Sequence, residues 1–218
     1  IMTQAESLRE AHENVMRKNI EIEQQKEEIV SQHDILADQN KEIITQRDKI
    51  EQAYNHVTVL SEIGQNITAH LRVEAIIDTV YQSVNTLMDA SGFGIGIYNE
   101  RLNRIESPGY IEKREKLPFH FSPVSKVDSL SAWAYINESE IFINDYEKEV
   151  SNFLPNYRSN SEPGDVPCSL IYLPLQSQGK TIGVITVQSF ELYAYSRYQL
   201  DMLRNIAIYA GIALENAS

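Results

Sequence analysis

Glycine is missing before Gly64 and proline before Pro108, so nothing in the opening quarter of the chain breaks or ends a helix. Cysteine is represented once, by Cys168, which excludes an internal disulfide and a cysteine-rich metal site. That usage is compatible with a reducing cytoplasm. Basic residues are scarce: 19 Lys and Arg against 31 Asp and Glu leave a net charge of −12. Phosphate contacts need clustered cations, so nucleic acid and an anionic membrane surface are poor partners for this chain. The acidic excess is spread along the chain and reads as solubility. No apolar run approaches the roughly 18 residues of a membrane span, and no signal peptide opens the chain. The expectation is a cytoplasmic location with no membrane contact, whether or not a parent protein is anchored. The chain opens at Ile1 inside a helical pattern and without an initiator Met, which reads as a piece of something longer.

What the opening stretch does contain is a repeat. Leu8, Val15, Ile22, Ile29, Leu36, Ile43, Ile50 and Val57 each fall seven residues after the last. A seven-residue apolar repeat keeps one seam against a partner helix and imposes a left-handed supercoil. The rod is about 75 Å long at the helical rise. The remaining 160 or so residues cannot cover such a seam, so a parallel homodimer is expected. With the apolar series at position a, Glu21 meets Lys26, Glu28 meets His33 and Glu42 meets Arg47 across the pair, where opposite charges support parallel strands. The d layer is then mostly polar (Lys18, Gln25, Gln32, Gln39, Gln46), which costs stability and helps to set register. Val30, Ile35 and Ile44 beside the seam leave a higher-order or antiparallel bundle open.

Beyond Val57 the apolar spacing loosens to that of a packed helix, and Gly64 falls on a beat of the repeat where a large side chain belongs. The division is therefore 1–58 as a coiled-coil helix and 59–218 as one compact domain. A second amphipathic helix is predicted over Val73–Met88. Phe93–Asn99 alternates as a strand whose second face is thinned by Gly94 and Gly96, so that a backbone or a ligand comes close there. A turn at Glu100–Asn103 makes a hairpin. Further strands are expected at Leu117–Phe121, Ile141–Ile143, Ser169–Leu175 and Thr181–Phe190, the last apolar on both faces and hence central. Asp128 is placed as N-cap of a short helix, Ser151–Pro167 as a long surface loop, Gln176–Lys180 as a turn and Ser196–Ala217 as a final helix. Hairpin-spaced strands with helices at both ends give an α+β fold: a long N-terminal coiled-coil helix, then an antiparallel sheet with helices packed on it.

The run Ser169-Leu170-Ile171-Tyr172-Leu173-Pro174-Leu175, then Gly179, Ile182-Gly183-Val184-Ile185-Thr186-Val187, and the closing Ile212-Ala213-Leu214-Glu215-Asn216-Ala217 resemble the GAF domain family of small-molecule sensory modules. Leu60-Ser61-Glu62-Ile63-Gly64 and Ile143-Asn144-Asp145 fit the same order. The resemblance covers about residues 58–218 and rests on the ordered set, since no single motif is specific. It implies a non-catalytic sensory and dimerisation module of a bacterial signalling protein, such as a sensor histidine kinase of a two-component system. Such a module would bind a small molecule and pass the change through coiled-coil helices to an output domain (kinase, phosphatase or cyclase) outside this chain. A ligand-free dimerisation and spacer module is the alternative. Carried over from the family, the ligand wall would comprise Tyr98, Phe121, Trp133, Ile143, Asn144, Asp145 and Tyr172. Read from the residues alone, Trp133, Phe121 and Tyr172 fill a core sooner than they line a pocket, and Asp145 serves as well to cap a turn.

Several chemistries find no residues. The Asn-Lys, Phe, Asp-Glu signature of cyclic-nucleotide-binding members has no counterpart, and Cys168 after Val166-Pro167 is not in a bilin-attachment context, reading instead as a buried structural thiol. Methionine-sulfoxide reduction needs paired cysteines, and one is present. His12, His33 and His56 are strung along the rod, and His120 beside the proposed wall reads as a surface residue before a metal or haem ligand. No Ser-His-Asp or phosphate-loop pattern occurs. The cofactor, if any, is unknown from sequence.

Overall fold

The structure is a computed structural model that describes residues 4–125, 127–155 and 166–217. The chain divides into two compact units, Ile1–Val57 and Thr58–Ser218, with the boundary inside helix α1, Gln4–Thr68. In the first unit the helix from residue 4 to 57 extends about 80 Å. All eight residues of the seven-residue series lie more than half exposed on the single chain, from 56% at Val15 and Ile22 to 75% at Leu8. Its surface charges include the local pairs Arg9 with Glu13, Lys26 with Glu23 and Arg47 with Asp48, the first two of the weak helix-surface kind.

In the second unit the end of α1 packs as a domain helix. Ile67 is fully buried, and Leu60 and Ile63 press against the same core. Helix α2, Val73–Leu87, buries Ile76, Ile77, Val80 and Val84, a three-and-four spacing that draws one stripe down the helix. The sheet is antiparallel throughout. Strands β1 (Gly92–Asn99), β2 (Arg104–Ser107), β3 (Ile111–Glu112), β4 (Glu115–Lys116), β5 (His120–Pro123), β6 (Ile141–Ile143), β7 (Ser169–Ser177) and β8 (Lys180–Ser189) run in the order β4-β3-β1-β8-β7-β6, with β2 paired to β1 and β5 to β2. The doubly apolar strand β8 is central, between β1 and β7.

Alternation divides the sheet into two faces. Phe93, Ile95, Ile171, Leu173, Ile185 and Val187 meet α2 and the last helix, α5 (Arg197–Asn216), in the main core. A smaller second core gathers Ile105, Ile141, Ile143, Leu170 and Val184 under helix α3, Leu130–Asn137, and a segment made of α4, Tyr146–Glu149, and the 3-10 turn Val150–Asn152. Helix α5 starts from a reciprocal cap in which the Ser196 hydroxyl accepts from Gln199 N and the Gln199 side chain accepts from Ser196 N, a device that satisfies two otherwise orphaned donors.

Five local expectations are corrected. The N-cap of α3 is Ser129, whose hydroxyl accepts from Ala132 N at 3.2 Å, and not Asp128. Pro118, which has no N–H to give a ladder, keeps Leu117–Phe119 out of the sheet, so the strand starts at His120. Ser151 and Asn152 belong to the 3-10 turn rather than to a loop; residues 156–165 of the predicted loop lie outside the described residues. The β7–β8 connection tightens to Gln178-Gly179, both at positive φ (48° and 77°), the conformation a two-residue hairpin of this hand needs. Cys168 precedes β7 half-buried, not buried. Ser129→Ala is expected to lower the stability of the second unit by about 1 kcal/mol, measurable as a shifted urea midpoint at unchanged slope.

Candidate functional site

On the sheet face opposite α2 and α5 lies a cavity of about 620 Å³, within the range that holds small-molecule ligands. Its floor follows from strand register. Gly94 pairs with Thr186, and Thr186 with Tyr172; Gly92 lies between Glu112 on one side and Gln188 on the other. A row of residues with no side chain in β1 thus runs beside a row of polar ones in β8, and Thr186 and Gln188 are each 6% exposed. A methyl group added at Gly94 would stand 2.6 Å from the Tyr110 ring, and one at Gly96 would overlap the Ile105 side chain. The missing side chains are what admit Tyr110 and the space beside it.

The walls are Tyr110 and Glu112 from the β3 region, Leu117–His120 and Ser122 before and in β5, Asp128–Ser131 at the start of α3, and Tyr146 and Leu154. Gln188 Nε2 donates to the Tyr172 hydroxyl at 2.8 Å and to Thr186 Oγ1 at 3.2 Å. His120 meets the Tyr110 ring edge-on at 5.6 Å between centroids. Burial pushes the Tyr110 hydroxyl well above its ordinary pKa, with Tyr172 and the Glu112 carboxylate adding to the effect, so Tyr110 stays a neutral O–H at any physiological pH. No group of three or more His, Cys, Asp or Glu able to hold a metal occurs among the described residues, and no described helix is long and apolar enough to cross a membrane.

Of the seven wall residues expected from sequence, Tyr172 alone lines this cavity. Tyr98 has the parity of Gly94 and Gly96 but lies farther along β1, where its ring stacks on Tyr135 at 4.5 Å and its hydroxyl donates to Asn103 Oδ1 at 2.9 Å. Burial, and after it the charge interaction and hydrogen bond with Tyr98, push the Tyr135 pKa up to about 12. Phe121 points away from the cavity, half exposed beneath the Arg104 guanidinium at 4.3 Å; its neighbours His120 and Ser122 line the wall instead, as a period of two demands. Trp133 packs edge-on against Phe153 at 4.9 Å, and Ile143 is fully buried in the second core. Asn144 is a clasp, with Nδ2 donating to Tyr195 O at 3.2 Å and its own carbonyl accepting from Ser169 Oγ at 3.2 Å. Asp145 pairs with Lys148 at 2.6 Å, and its N–H donates to Glu149 Oε1 at 2.8 Å. These last two hold the β6–α4 corner together.

Tyr110, Glu112, Thr186, Gln188, Ser129 and Ser131 were not singled out from sequence. The signal for two of them was available: Val184, Thr186 and Gln188 alternate with Ile185 and Val187, so polar groups recur on one face of a strand that reads as fully buried.

A sequence model described as the GAF domain matches residues 70–215. Among curated proteins, the formate hydrogenlyase transcriptional activator FhlA of Escherichia coli (strain K12) is 24% identical over 163 residues, which are 73% of this chain and 23% of that protein. The chain thus spans about a quarter of the length of that relative. Among solved structures, the GAF domain of an Acinetobacter phosphoenolpyruvate-protein phosphotransferase superposes with a TM-score of 0.61 at 17% identity, over 74% of this chain and 93% of that one. The free methionine-R-sulfoxide reductase of Neisseria meningitidis, solved with its substrate, gives 0.56 at 16% identity, over 76% and 92%. At such identities the superpositions speak to the fold, and the match over residues 70–215 speaks to descent: the chain belongs to the GAF domain family, whose members are small-molecule-binding sensory modules of signalling proteins.

Proposed function

We propose that residues 58–218 form a non-catalytic sensory module that binds a small molecule in the cavity on the Gly94–Thr186 face. The Leu8–Val57 seam, we further propose, pairs in parallel with that of a second copy and relays the bound state to an output domain, in a cytoplasmic two-component or related signalling protein. The observation that carries the reading is the cavity itself, about 620 Å³ with a floor partly of glycine and partly of buried polar side chains. A spacer module without a ligand has no use for such a space, because cavities without an occupant cost stability. Support for a non-catalytic role comes from the cavity wall, which has no cysteine among its described residues, so Cys168 is not offered to a substrate there. Methionine-sulfoxide turnover is accordingly expected to be absent in the chain and unchanged in Cys168→Ser.

The relay rests on α1, whose last turns contribute Leu60, Ile63 and Ile67 to the domain core while its earlier turns carry the repeat. A ligand biases such an element only by its differential affinity for two packings. The binding half of the proposal is tested by thermal denaturation of the 218-residue chain against a panel of small polar and aromatic compounds. A compound at about a hundredfold its Kd adds about 2.7 kcal/mol, seen as a rise in Tm. Ser131→Trp, which sets an indole into the cavity from the wall, abolishes that rise. A panel without one shift, or shifts that survive Ser131→Trp, would sink the reading.

A further inference from the structure

Two groups at the Gly92 end of the floor set what the cavity recognises. A methyl group added at Gly92 would stand 3.0 Å from Tyr110 Oη and 3.4 Å from Gln188 Oε1, so the two oxygens are neighbours over one bare Cα. They differ in kind. The Tyr110 hydroxyl, kept protonated by burial, carries a hydrogen and has no hydrogen bond to a described residue. The Gln188 amide gives both its hydrogens to protein oxygens, Tyr172 Oη and Thr186 Oγ1, so it offers the cavity its carbonyl oxygen alone. Neither oxygen is sealed off: among the described residues, the buried side-chain oxygen or nitrogen without a partner is Glu215 Oε2, in α5. Tyr110 Oη and Gln188 Oε1 therefore open on the space that both residues line. A donor and an acceptor side by side are the complement of a carbonyl next to an N–H.

The rest of the wall narrows the charge. Half-buried Glu112 and exposed Asp128 place carboxylates on it, and no Lys or Arg is among the described residues that line it, so an anion finds no counter-ion. A cation that only donates leaves the Tyr110 hydrogen without an acceptor. His120 lies edge-on against the Tyr110 ring, and the Ser129 hydroxyl is taken up by Ala132 N. The Ser107, Ser122 and Ser131 hydroxyls turn to donate or accept as a guest requires, which leaves Tyr110 and Gln188 as the pair that discriminates.

We infer that the cavity selects an uncharged molecule with an amide edge, a primary carboxamide or a lactam, its carbonyl oxygen accepting from Tyr110 Oη–H and its N–H donating to Gln188 Oε1. This rests on the ligand-binding reading above and names the chemistry of that same site. A trans secondary amide is excluded, because its oxygen and hydrogen point to opposite sides.

The test is calorimetric titration of the 218-residue chain with benzamide, N-methylbenzamide, acetophenone, benzoate and benzamidinium, which share a ring and differ at the edge. Benzamide is expected to bind about tenfold tighter than each of the others, the size of one net hydrogen bond. Tyr110→Phe, which keeps the ring, weakens benzamide and acetophenone alike. Gln188→Met, folded by circular dichroism, brings benzamide down to acetophenone and leaves acetophenone unchanged; damage to the fold would instead weaken both. N-methylbenzamide, benzoate or benzamidinium binding as tightly as benzamide overturns the assignment, and so does a benzamide advantage that survives Gln188→Met. Should all five be silent, the thermal panel decides: hits that carry the edge support the assignment, and hits that lack it overturn it while leaving ligand binding intact. No hit of any kind takes both readings down.

Discussion

Gly211→Ala destabilises the 58–218 unit by about 2 kcal/mol, against the direction that helix propensity predicts. Gly211 sits in the middle of α5, where alanine is ordinarily worth about 1 kcal/mol more than glycine. The neighbouring strand reverses the sign. A Cβ at this position stands 2.5 Å from the carbonyl oxygen of Gln176 and 3.3 Å from its carbonyl carbon, and backbone cannot swing aside as the end of a side chain can. Gln176 lies where the β7–β8 register shifts, so the helix rests on an irregular edge that only a bare Cα accommodates. Overpacking of this kind costs about 1–3 kcal/mol and sometimes more. Thermal denaturation of wild type and variant measures it, with a fall of roughly 5 °C expected for a unit of this size. An unchanged or raised Tm would show that α5 can lift off β7 without loss.

Ile29→Asn together with Ile43→Asn is expected to convert a dimer into a monomer. On the single chain Ile29 is 64% exposed and Ile43 61%, so neither substitution disturbs a core within one copy. In the proposed parallel pair both fall on the seam, four amides face one another in two layers, and each buried amide without full partners costs roughly 1–3 kcal/mol in protein terms. A single asparagine can fix register; two in one seam already weakened by Gln25, Gln32, Gln39 and Gln46 exceed what it can absorb. Sedimentation equilibrium reads the result directly. A dimer that survives the double variant at micromolar concentration places the main interface in the second unit, and the relay by the first then fails with it.

Much of the architecture was legible because periodicity reports burial. The helix over Val73–Leu87, the hairpin at Tyr98–Ile105 and the central position of β8 follow from spacing alone, and the seven-residue series announces one uninterrupted helix. Turn chemistry was harder: Ser129 and Asp128 are both good caps, and only the bond to Ala132 N tells them apart. The site was read less well for a physical reason. Family likeness pointed to aromatics at strand ends, yet ring size does not say which way a side chain leaves the sheet. Phe121 and His120 are neighbours on opposite faces, and Tyr98 overshoots the cavity by the length of one residue pair. What marks the site is the register between β1 and β8, which sets Gly94 beside Thr186, and pairing between distant strands is not written in either one.

The division of β8 has a mechanical corollary. Thr186 and Gln188 hang toward the cavity and Ile185 and Val187 toward α2 and α5, so both layers are fastened to a single ribbon one peptide thick. Tightly packed interiors transmit displacement instead of absorbing it. In the proposed sensory role, a guest that shifts the two polar side chains would act on the helical layer through the same strand, with no hinge or lid required. On the proposed sensory reading, the central strand is a diaphragm between two rooms, through which an occupant of one would be felt in the other.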